Sequence, residues 1–311
     1  MEENKSLVGY SGFVGSNLCA NTYFNGLYDS KNIENAYNTE PELLVYSGVP
    51  AQKYIANKFP EKDFEVIENA INNIRQINPK KIVLISTIDV YAKPDGVNED
   101  TEIQIQDLQP YGKNRYYLEK WVKENYEDYL IVHLPALYGI NLKKNFIYDM
   151  INIIPSMLNK EKLEELIKEN STIKKYYENQ NNGFYKCKEN LLEEERKILK
   201  DYFMNIGFSA LNFTDSRASY QFYNLKYLWS HIEMALKNKI KVLNLATEPI
   251  KASELYEFVM GENFNNEILV DIPHYDFKTK YATIFGSNGE YIFDKQFVLE
   301  DVKKFMENEG I

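Results

Sequence analysis

Tyr111 and Arg115 are spaced as a proton-transferring phenol and its supporting cation would be. They lie four residues apart in a segment that begins at Pro110 and continues with helical periodicity, so their side chains share one face of a helix. A cation next to a phenol favours the ionised form and lowers the phenol pKa towards the pH at which general acid-base catalysis works. A surface tyrosine beside an ordinary helix arginine has the same spacing, so this interpretation stays open.

Three glycines near the start of the chain are spaced as in a phosphate-binding turn. Gly9, Gly12 and Gly15 follow a short apolar run and precede a helix-like segment. Such glycines permit a tight turn, backbone approach to a pyrophosphate, and close packing of a helix on a strand. The helix N-terminal amides then face the phosphates. The pattern predicts a dinucleotide site, although a plain strand-helix connection also suits three glycines.

Another residue that could take part in catalysis lies at the end of a strand whose apolar sequence predicts burial. The run from Ile82 to Tyr91 is apolar until it reaches the hydroxyls of Ser86 and Thr87. The carboxyl ends of parallel strands face the ligand crevice of such sheets. We therefore expect Thr87 to lie where chemistry occurs.

Short β-forming runs alternate with segments of helical period along most of the chain. This alternation predicts an α/β fold with a doubly wound parallel sheet, covered by helices on both faces. Asp63–Ile77 carries one apolar face and predicts a crossover helix that stops before Pro79. The predicted strands are Leu7–Val8, Asn25–Tyr28, Leu43–Tyr46, Lys81–Thr87, Leu130–Leu134 and Val242–Leu245.

Residues 142–200 differ in composition from the rest of the chain. They are rich in Lys, Glu and Asn, with a break at residues 179–183, and they predict a helical insertion whose charges form solvated helix faces. We expect a sheet domain at residues 1–140 to which residues of about 207–247 return. The remaining residues, 141–206 and 248–311, are expected to form a smaller, mostly helical lobe.

Composition excludes several classes of protein. The chain of 311 residues carries a net charge of −10, which argues against a nucleic-acid partner because phosphate binding needs clustered Lys and Arg. Cys19 and Cys187 lie far apart without metal-ligand spacing, so we expect neither a disulfide framework nor a metal site. No stretch has the apolar length of a membrane span or secretory signal. We expect a soluble, cytoplasmic protein without a membrane partner.

The sequence resembles the extended short-chain dehydrogenase/reductase family, in its nucleotide-sugar epimerase and dehydratase branch. The resemblance implies a Rossmann-type domain that binds a dinucleotide and a lobe that binds substrate. Tyr116 and Lys120 share the Tyr–Arg spacing but lose Gly112 and Glu119 from the family pattern, so we rank that register second. Five segments carry the resemblance in the family's order: Gly9–Gly15, Ser86–Tyr91, Tyr111–Glu119, His133–Gly139 and Arg217–Leu225.

The resemblance implies catalytic roles for Thr87, Tyr111, Arg115 and Asp89. Thr87 is implied to hydrogen-bond the substrate hydroxyl or ketone, and Tyr111 to exchange its proton. Arg115 takes the place of the family's Lys, which holds the nicotinamide ribose and tunes the tyrosine; arginine keeps the charge in a different geometry. Asp89 is implied either to act as a base at the sugar or to cap and orient its loop. Ile88 replaces one member of the dehydratases' acid-base pair, which disfavours a 4,6-dehydratase.

The resemblance also implies NAD as the cofactor. Asp29 follows Gly9 by 29 − 9 = 20 residues, the distance expected for a carboxylate that holds the ribose diol. Ser30 and Lys31 could instead accept the 2′-phosphate of NADP, which is the alternative. The implied cofactor-binding residues are Gly9, Ser11, Gly12, Phe13, Val14, Gly15, Asp29, Ser47, Gly48, Tyr111, Arg115 and Pro135.

On the substrate side, the resemblance implies that Asn145 and Arg217 contact a nucleotide-sugar. It further implies a possible homodimer that pairs through the Asp63 and Tyr111 helices. We expect an NAD(P)-dependent nucleotide-sugar epimerase or ketoreductase with a Thr/Tyr/Arg variant of the family's triad. The alternative is a catalytically inactive cofactor-binding protein with an interaction or regulatory role.

Overall fold

The computed structural model describes residues 4–309. Its strands are short. In chain order they are β1 (Lys5–Val8), β2 (Gly26–Tyr28), β3 (Leu43–Tyr46), β4 (Ile82–Thr87), β5 (Tyr129–Leu134), β6 (Ala136–Tyr138), β7 (Met157–Asn159), β8 (Tyr177–Asn179), β9 (Phe184–Cys187), β10 (Ser219–Tyr220), β11 (Phe222–Asn224), β12 (Val242–Asn244) and β13 (Ile250–Lys251). Strands β1 and β3–β5 of the central sheet are mostly buried, whereas the edge strand β2 is partly exposed.

The helices connect these strands and form much of the later chain. Within residues 4–309, none of them is both long and apolar enough to cross a membrane. They are α1 (Phe13–Asn21), α2 (Lys53–Lys58), α3 (Pro60–Ile77), α4 (Pro110–Asn125), α5 (Phe146–Asn152), α6 (Lys160–Glu169), α7 (Glu193–Asn205), α8 (Leu228–Lys237), α9 (Ala252–Met260) and α10 (Lys295–Asn308).

Six parallel strands form the central sheet in the order β12-β5-β4-β3-β1-β2. The predicted Rossmann-type, doubly wound α/β fold is therefore confirmed. Strands β2 and β3 lie on opposite sides of β1, so the chain reverses its course across the sheet between β1 and β3. In open parallel sheets, ligands bind outside the carboxyl ends of the strands at such a switch point.

Helices cover both faces of this sheet. The face towards α3 and α4 buries Val8 and Leu44 among the helix residues Ile74 and Val122. The opposite face, towards α1 and α8, buries Leu7. Neighbouring residues of one strand thus point into two apolar layers. Burial on both faces explains why the sheet strands read as continuous apolar runs.

The described chain divides into two compact units. The first contains residues 4–142, 219–250 and 273–302, and the second contains residues 143–218, 251–272 and 303–309. The sequence-based boundaries differ in two places: residues 207–218 lie in the second unit, and residues 273–302 lie in the first. Two hydrogen bonds help to hold the latter segment in the first unit. Phe277 N donates to the side-chain oxygen Oε1 of Gln221 at 2.9 Å, and Ile292 N donates to Ala246 O at 2.7 Å.

The second unit combines helices α5, α6, α7 and α9 with an antiparallel sheet of order β7-β9-β8. The sequence analysis predicted only helices in this insertion. Residues 179–183, expected as a break, form the hairpin turn between β8 and β9, closed by Gln180 N donating to Phe184 O at 2.9 Å. Leu158, Tyr177 and Tyr185, one from each strand, pack in the unit's apolar cluster. This cross-strand packing, absent from any helical pattern, stabilises the small sheet.

His231 gives the first unit a predictable sensitivity to acid. It lies on α8 among aromatic rings, with Nδ1 2.8 Å from the Tyr223 hydroxyl. Burial lowers the pKa of His231 to about 4, whereas an unfolded histidine titrates near 6.5. Between these values the unfolded chain binds the extra proton, so this group removes stability as the pH falls.

Between pH 6.5 and pH 4, we expect the free energy of unfolding of the wild type to fall by up to about 3 kcal/mol more than that of His231→Phe. The reason is that one pKa unit corresponds to about 1.4 kcal/mol. The measurement is chemical denaturation of both proteins across this pH range. The other titrating groups contribute equally to both curves and cancel in the difference. Parallel curves would show that His231 does not titrate abnormally.

Candidate active site

The glycine turn after β1 has no room for larger residues. Gly9 has a φ of +91°, and a Cβ there would lie 2.6 Å from Ser47 O. A Cβ on Gly15 would lie 2.0 Å from Gly9 O. Helix α1 begins at Phe13 with Gly12 as its N-cap and no side-chain cap, so its first amides are left to a ligand. This cradle fits a pyrophosphate.

The end of β2 brings a carboxylate beside the glycine turn. Ser11 Oγ donates to Asp29 Oδ2 at 2.9 Å, and Lys31 N donates to Asp29 Oδ1 at 2.9 Å. The Lys31 amide and the Ser11 hydroxyl, in that order, lower the pKa of Asp29. The carboxyl is therefore ionised, and it lies where the sequence predicts the ribose-binding acid.

The loop after β3 lies on the other side of the glycine turn. Ser47 donates from both N and Oγ to Val8 O, each at 2.9 Å. A Cβ on Gly48 would lie 3.0 Å from Val8 Cγ1. The predicted cofactor-binding residues of this loop are thus fixed against β1 at the switch point of the sheet.

Helix α4 approaches the end of β4 closely enough to bring two predicted catalytic groups together. A Cβ on Gly112 would lie 2.0 Å from Asp89 O, so only glycine allows this approach. Tyr111, the preceding residue, is 6% exposed, and the Thr87 hydroxyl makes a hydrogen-bond interaction with its phenol. The hydroxyl and the phenol that the sequence predicts to act together therefore lie side by side.

The pKa of Tyr111 is raised, contrary to the sequence-based expectation. Burial of the phenol is the largest cause, and the Asp89 carboxylate adds to it. Arg115, Thr87 and Lys53 each lower the pKa, but together they do not offset these effects. The phenol is consequently protonated at neutral pH.

Arg115 is engaged within the protein. Its Nη1 donates to Asp63 Oδ2 at 2.6 Å, and Nη2 donates to Asp63 Oδ1 at 2.9 Å and to Pro50 O at 2.8 Å. The side chain of Arg115 is 5% exposed and that of Asp63 is 11% exposed. The guanidinium lies 4.4 Å from the centroid of the Tyr111 ring, a cation-π arrangement. Arg115 thus supports the ring and joins α3 to the loop after β3, and its contact with the nicotinamide ribose stays a prediction.

Asp89 lies in an ordered turn and pairs with a lysine, while its predicted role as a base at the sugar stays a prediction. It lies on a single 3-10 turn, Ile88–Val90, that follows β4. Its backbone N donates to Thr87 Oγ1 at 3.2 Å, which orients the turn. Its side chain receives a hydrogen bond from Lys53 Nζ, 2.6 Å from Oδ1. The carboxylate is therefore both placed by the turn and paired with a cation.

A cavity of about 230 Å³ opens beside these groups, within the first unit. This volume is below the roughly 300–1,000 Å³ of typical ligand pockets, so it suits one ring of a larger ligand. Gln221, also in the lining, holds one wall by donating from Nε2 to Phe277 O at 2.7 Å. Among its lining residues are Lys53, Thr87, Asp89, Pro135, Tyr220 and Tyr275.

A buried polar network holds α4 to the sheet beneath the site. Glu119 Oε1 accepts from Ser86 Oγ at 2.5 Å and lies 3.0 Å from His133 Nε2. His133 Nδ1 lies 2.8 Å from Asn244 Oδ1, while Asn244 Nδ2 donates to Lys278 O. Both imidazole nitrogens therefore donate. Burial lowers the pKa of His133, but Glu119 outweighs this effect and the pKa is raised.

The two predicted substrate-binding residues lie in the second unit. Asn145 Oδ1 caps α5 by accepting from Tyr148 N at 3.0 Å. Arg217 donates from Nε and Nη2 to the two Asp215 oxygens at 2.9 and 2.8 Å, and its Nη1 lies 2.9 Å from Glu267 Oε2. Both residues thus hold local structure in their own unit, and their substrate contacts stay a prediction.

Sequence reasoning missed Lys53, Asn57 and Tyr275. Lys53 and Asn57 lie four residues apart on α2, directly after the loop that follows β3, and this spacing was an available signal. Tyr275 had no such signal, because it reaches the cavity from a distant segment that folds back onto the first unit.

Asp95, His274 and Asp276 bring potential metal-ligand atoms within 4.8 Å of one another. Asp95 and His274 are exposed, and the Tyr291 hydroxyl donates to Asp276 Oδ1 at 2.5 Å. Exposed acidic groups commonly cluster without an ion, so this cluster alone does not identify a metal site.

Comparison with known proteins agrees with the motif-based resemblance. Residues 26–176 match the family model described as the NAD dependent epimerase/dehydratase family. The fold is similar to dTDP-4-dehydrorhamnose reductase from Bacillus anthracis in complex with NADP, with a TM-score of 0.62, 15% identity and 99% of each chain covered. It is also similar to RMD from Pseudomonas aeruginosa complexed with NADPH, with a TM-score of 0.63, 14% identity and 98% of each chain covered.

A third similar structure is UDP-glucose 4-epimerase from Thermotoga maritima with UDP-glucose. Its TM-score is 0.61 at 12% identity, with 98% of this chain and 97% of that chain covered. No curated protein matches the sequence significantly. Identities this low establish a shared fold and nothing finer.

The Arg115–Asp63 pair yields a stability prediction. Arg115→Met leaves a largely buried carboxylate without its partner, and we expect the free energy of unfolding to fall by about 3–5 kcal/mol. Asp63→Asn combined with Arg115→Met removes both charges, so its loss should be smaller than the sum of the two single losses. Denaturant titration of the four proteins measures the coupling. Strictly additive losses would show that the pair contributes no mutual stabilisation.

Proposed function

We propose that this protein uses a nicotinamide dinucleotide to oxidise or reduce a nucleotide-linked sugar. The match of residues 26–176 to the NAD dependent epimerase/dehydratase family supports this proposal. The observation that carries it is that Thr87, whose hydroxyl interacts with the Tyr111 phenol, lines a cavity at the carboxyl edge of the sheet.

Ketoreduction and epimerisation both include a step in which a carbonyl is reduced and its oxygen is protonated. Tyr111 is the proposed proton donor in that step, since its pKa is raised and its phenol is protonated at neutral pH. In the proposed reaction, Thr87 donates a hydrogen bond to the substrate oxygen and Tyr111 gives that oxygen its proton. The bound nicotinamide supplies the hydride chemistry. Tyr111 is nearly buried, which limits competing proton exchange with water.

The cavity supports a sugar ring as the reacting group. Its volume of about 230 Å³ holds one ring, so the rest of a nucleotide-sugar would extend beyond it. Tyr220 and Tyr275, both in the lining, are stacked at 6.1 Å between ring centroids. Apolar aromatic faces with a few polar groups are typical of small-molecule sites.

The ionised Asp29 supports NAD over NADP. A carboxylate at the end of β2 accepts hydrogen bonds from a ribose diol and repels a 2′-phosphate. Its own donors, Ser11 Oγ and Lys31 N, keep it charged. The nearby Lys31 side chain is the group that would favour NADP.

A homodimer is also part of the proposal. Helices α2 and α4 and the residue between α2 and α3 carry large exposed apolar side chains in the first unit. These are Tyr54, Ile55, Phe59 and Tyr117, which are 63%, 48%, 47% and 49% exposed. A second copy covering them would remove apolar surface from water.

The second candidate function is a non-catalytic protein that binds the cofactor for an interaction or regulatory role. It is favoured by Arg115, whose Nη1 and Nη2 already donate to Asp63 and Pro50.

One experiment separates these functions. The purified protein is incubated with NADH or NADPH and a panel of nucleotide-sugars and nucleotide-linked keto-sugars, including dTDP-4-dehydrorhamnose, and products are analysed by mass and stereochemistry. Stoichiometric loss of reduced cofactor identifies a reductase. A stereochemical change without net loss identifies an epimerase. Cofactor binding without turnover of any panel member favours the non-catalytic function.

Tyr111→Phe should abolish proton donation while keeping the ring that packs against Arg115. We expect turnover to fall by about 10²- to 10⁴-fold, the usual contribution of a positioned proton donor. The dissociation constant for the reduced cofactor, measured by calorimetry, should stay within about threefold because the phenol donates a proton and does not dominate binding. Unchanged turnover would remove Tyr111 from the mechanism.

Asp29→Asn should weaken the preference for NADH over NADPH. We expect the ratio of the two dissociation constants to change by about tenfold or more, since a hydrogen bond to a charged group contributes about 1.5–3 kcal/mol. Calorimetric titration with each cofactor gives the ratio without any turnover. Lys31→Ala is the matched control, which should weaken NADPH binding alone. An unchanged ratio in Asp29→Asn contradicts the assignment.

A further inference from the structure

The site contains two cations, and only one of them is free to change partners. Arg115 is bound to both oxygens of Asp63, and the two side chains are 5% and 11% exposed. Breaking such a buried pair is strongly unfavourable because it leaves an uncompensated charge. Arg115 therefore supplies a fixed charge that Asp63 already balances.

Helix α2 directs the second cation, Lys53, towards Tyr111. Asn57 Oδ1 accepts a hydrogen bond from Tyr111 N at 2.9 Å, which fixes one face of α2 against the start of α4. Lys53 precedes Asn57 by four residues, so it lies on that same face. The contact that fixes the tyrosine backbone thus also places the lysine.

The surroundings of Lys53 combine exposure with a carboxylate partner. Its Nζ lies 2.6 Å from Asp89 Oδ1, and the side chain is 47% exposed. It also makes a hydrogen-bond interaction with the Tyr275 hydroxyl. Burial lowers the pKa of Lys53, but Asp89 and Tyr275 outweigh this effect, so the ammonium stays charged. Half-exposed ion pairs are weak, and this one can open.

The following inference rests on the proposed function. We propose that Lys53, which can leave its ion pair with Asp89, is the positioning cation that stabilises the negative charge of Tyr111 during proton transfer. When the phenol gives its proton to the substrate oxygen, a phenolate is left in a nearly buried position. Lys53 turns from Asp89 towards this phenolate and stabilises it, and the phenolate later regains a proton from water. Asp89 opposes this step while it is paired, because its negative charge disfavours the phenolate.

Four groups face the Tyr111 phenol, and they come from different elements. Arg115 lies on α4, Asp89 on the turn after β4, Thr87 at the end of β4, and Lys53 on α2. Removing Lys53 should therefore raise the pKa of Tyr111, and removing the charge of Asp89 should lower it. A purely structural role of either residue does not produce opposite signs.

The test measures Tyr111 directly, without turnover. Tyrosine is labelled with ¹³C at Cζ, and the Tyr111 resonance is assigned by its loss in Tyr111→Phe. Its ionised fraction is followed from about pH 8 to about pH 12.5, a range that extends above the model tyrosine pKa of about 10 because the pKa of Tyr111 is raised. We expect Lys53→Met to raise the Tyr111 pKa by about one unit, and Asp89→Asn to lower it by a similar amount. The double variant should titrate close to the wild type.

Lys58→Met is the matched control. Lys58 is an exposed lysine of the same helix, 5.8 Å from the Tyr54 ring centroid, and its removal changes the net charge equally. The Tyr111 pKa should be unchanged in this variant. An equal rise in Lys58→Met and Lys53→Met would overturn the proposal, because the effect would then come from net charge. No rise in Lys53→Met would overturn it as well.

Turnover separates this proposal from the proposed function. With a substrate from the nucleotide-sugar panel, Lys53→Met should lower kcat by tenfold or more, of the order of general acid-base contributions, with a smaller effect on KM. Lys53→Arg should restore most of kcat. If the enzyme is active and its kcat is unchanged in Lys53→Met, the role of Lys53 is refuted and the proposed function is not. A shifted Tyr111 pKa without turnover of any substrate supports the Lys53 contact and refutes the proposed function.

Discussion

The close approach of helix α4 to the turn after strand β4 determines the geometry of the whole site. Gly112 makes this approach possible, since a Cβ there would lie 2.0 Å from Asp89 O. Beneath the contact, Glu119 binds Ser86 and His133, which attaches the helix to two sheet strands through buried polar groups. Buried hydrogen bonds of this kind rigidify the structure around them. The close approach at Gly112 and the contacts of Tyr111 with Asn57, Arg115 and Thr87 together hold its phenol in place.

Two ion pairs near Tyr111 have different electrostatic roles. Arg115–Asp63 is buried, and breaking such a pair costs about 3–5 kcal/mol, so it acts as structure. Lys53–Asp89 is half exposed, and pairs of this kind contribute about 0–1 kcal/mol, so it can rearrange. Arg115 lies where the resemblance implies the lysine that tunes the tyrosine, yet its charge is already balanced by Asp63. Because the Lys53–Asp89 pair is more exposed, Lys53 of helix α2 is the candidate for stabilising a charged Tyr111.

Much of the fold was predictable, because its signals are local. The buried strand Leu43–Tyr46 was predicted with its observed bounds, since β-forming residues in a short apolar run leave few alternatives. Gly9 and Gly15 were recognisable because steric exclusion acts over a few residues. The hairpin of β8 and β9 was not predicted, because its strand β9 pairs with the more distant β7, where Tyr185 lies opposite Leu158, and both residues pack in the cluster of the second unit. This pairing joins residues 27 positions apart (185 − 158 = 27), which a short window of sequence does not contain.

The sequence by itself predicted the alternation of strands and helices in a parallel sheet and the glycine turn, and it named Thr87 and Tyr111 as candidate catalytic residues. These depend on backbone sterics and on periodicity, which neighbouring residues specify. Only the tertiary structure decided that Arg115 pairs with Asp63, that Lys53 meets Asp89, and that Tyr275 lines the same cavity. The distance between two charged side chains and their burial determine whether they pair. Both are set only when separate segments of the chain pack together in the folded protein.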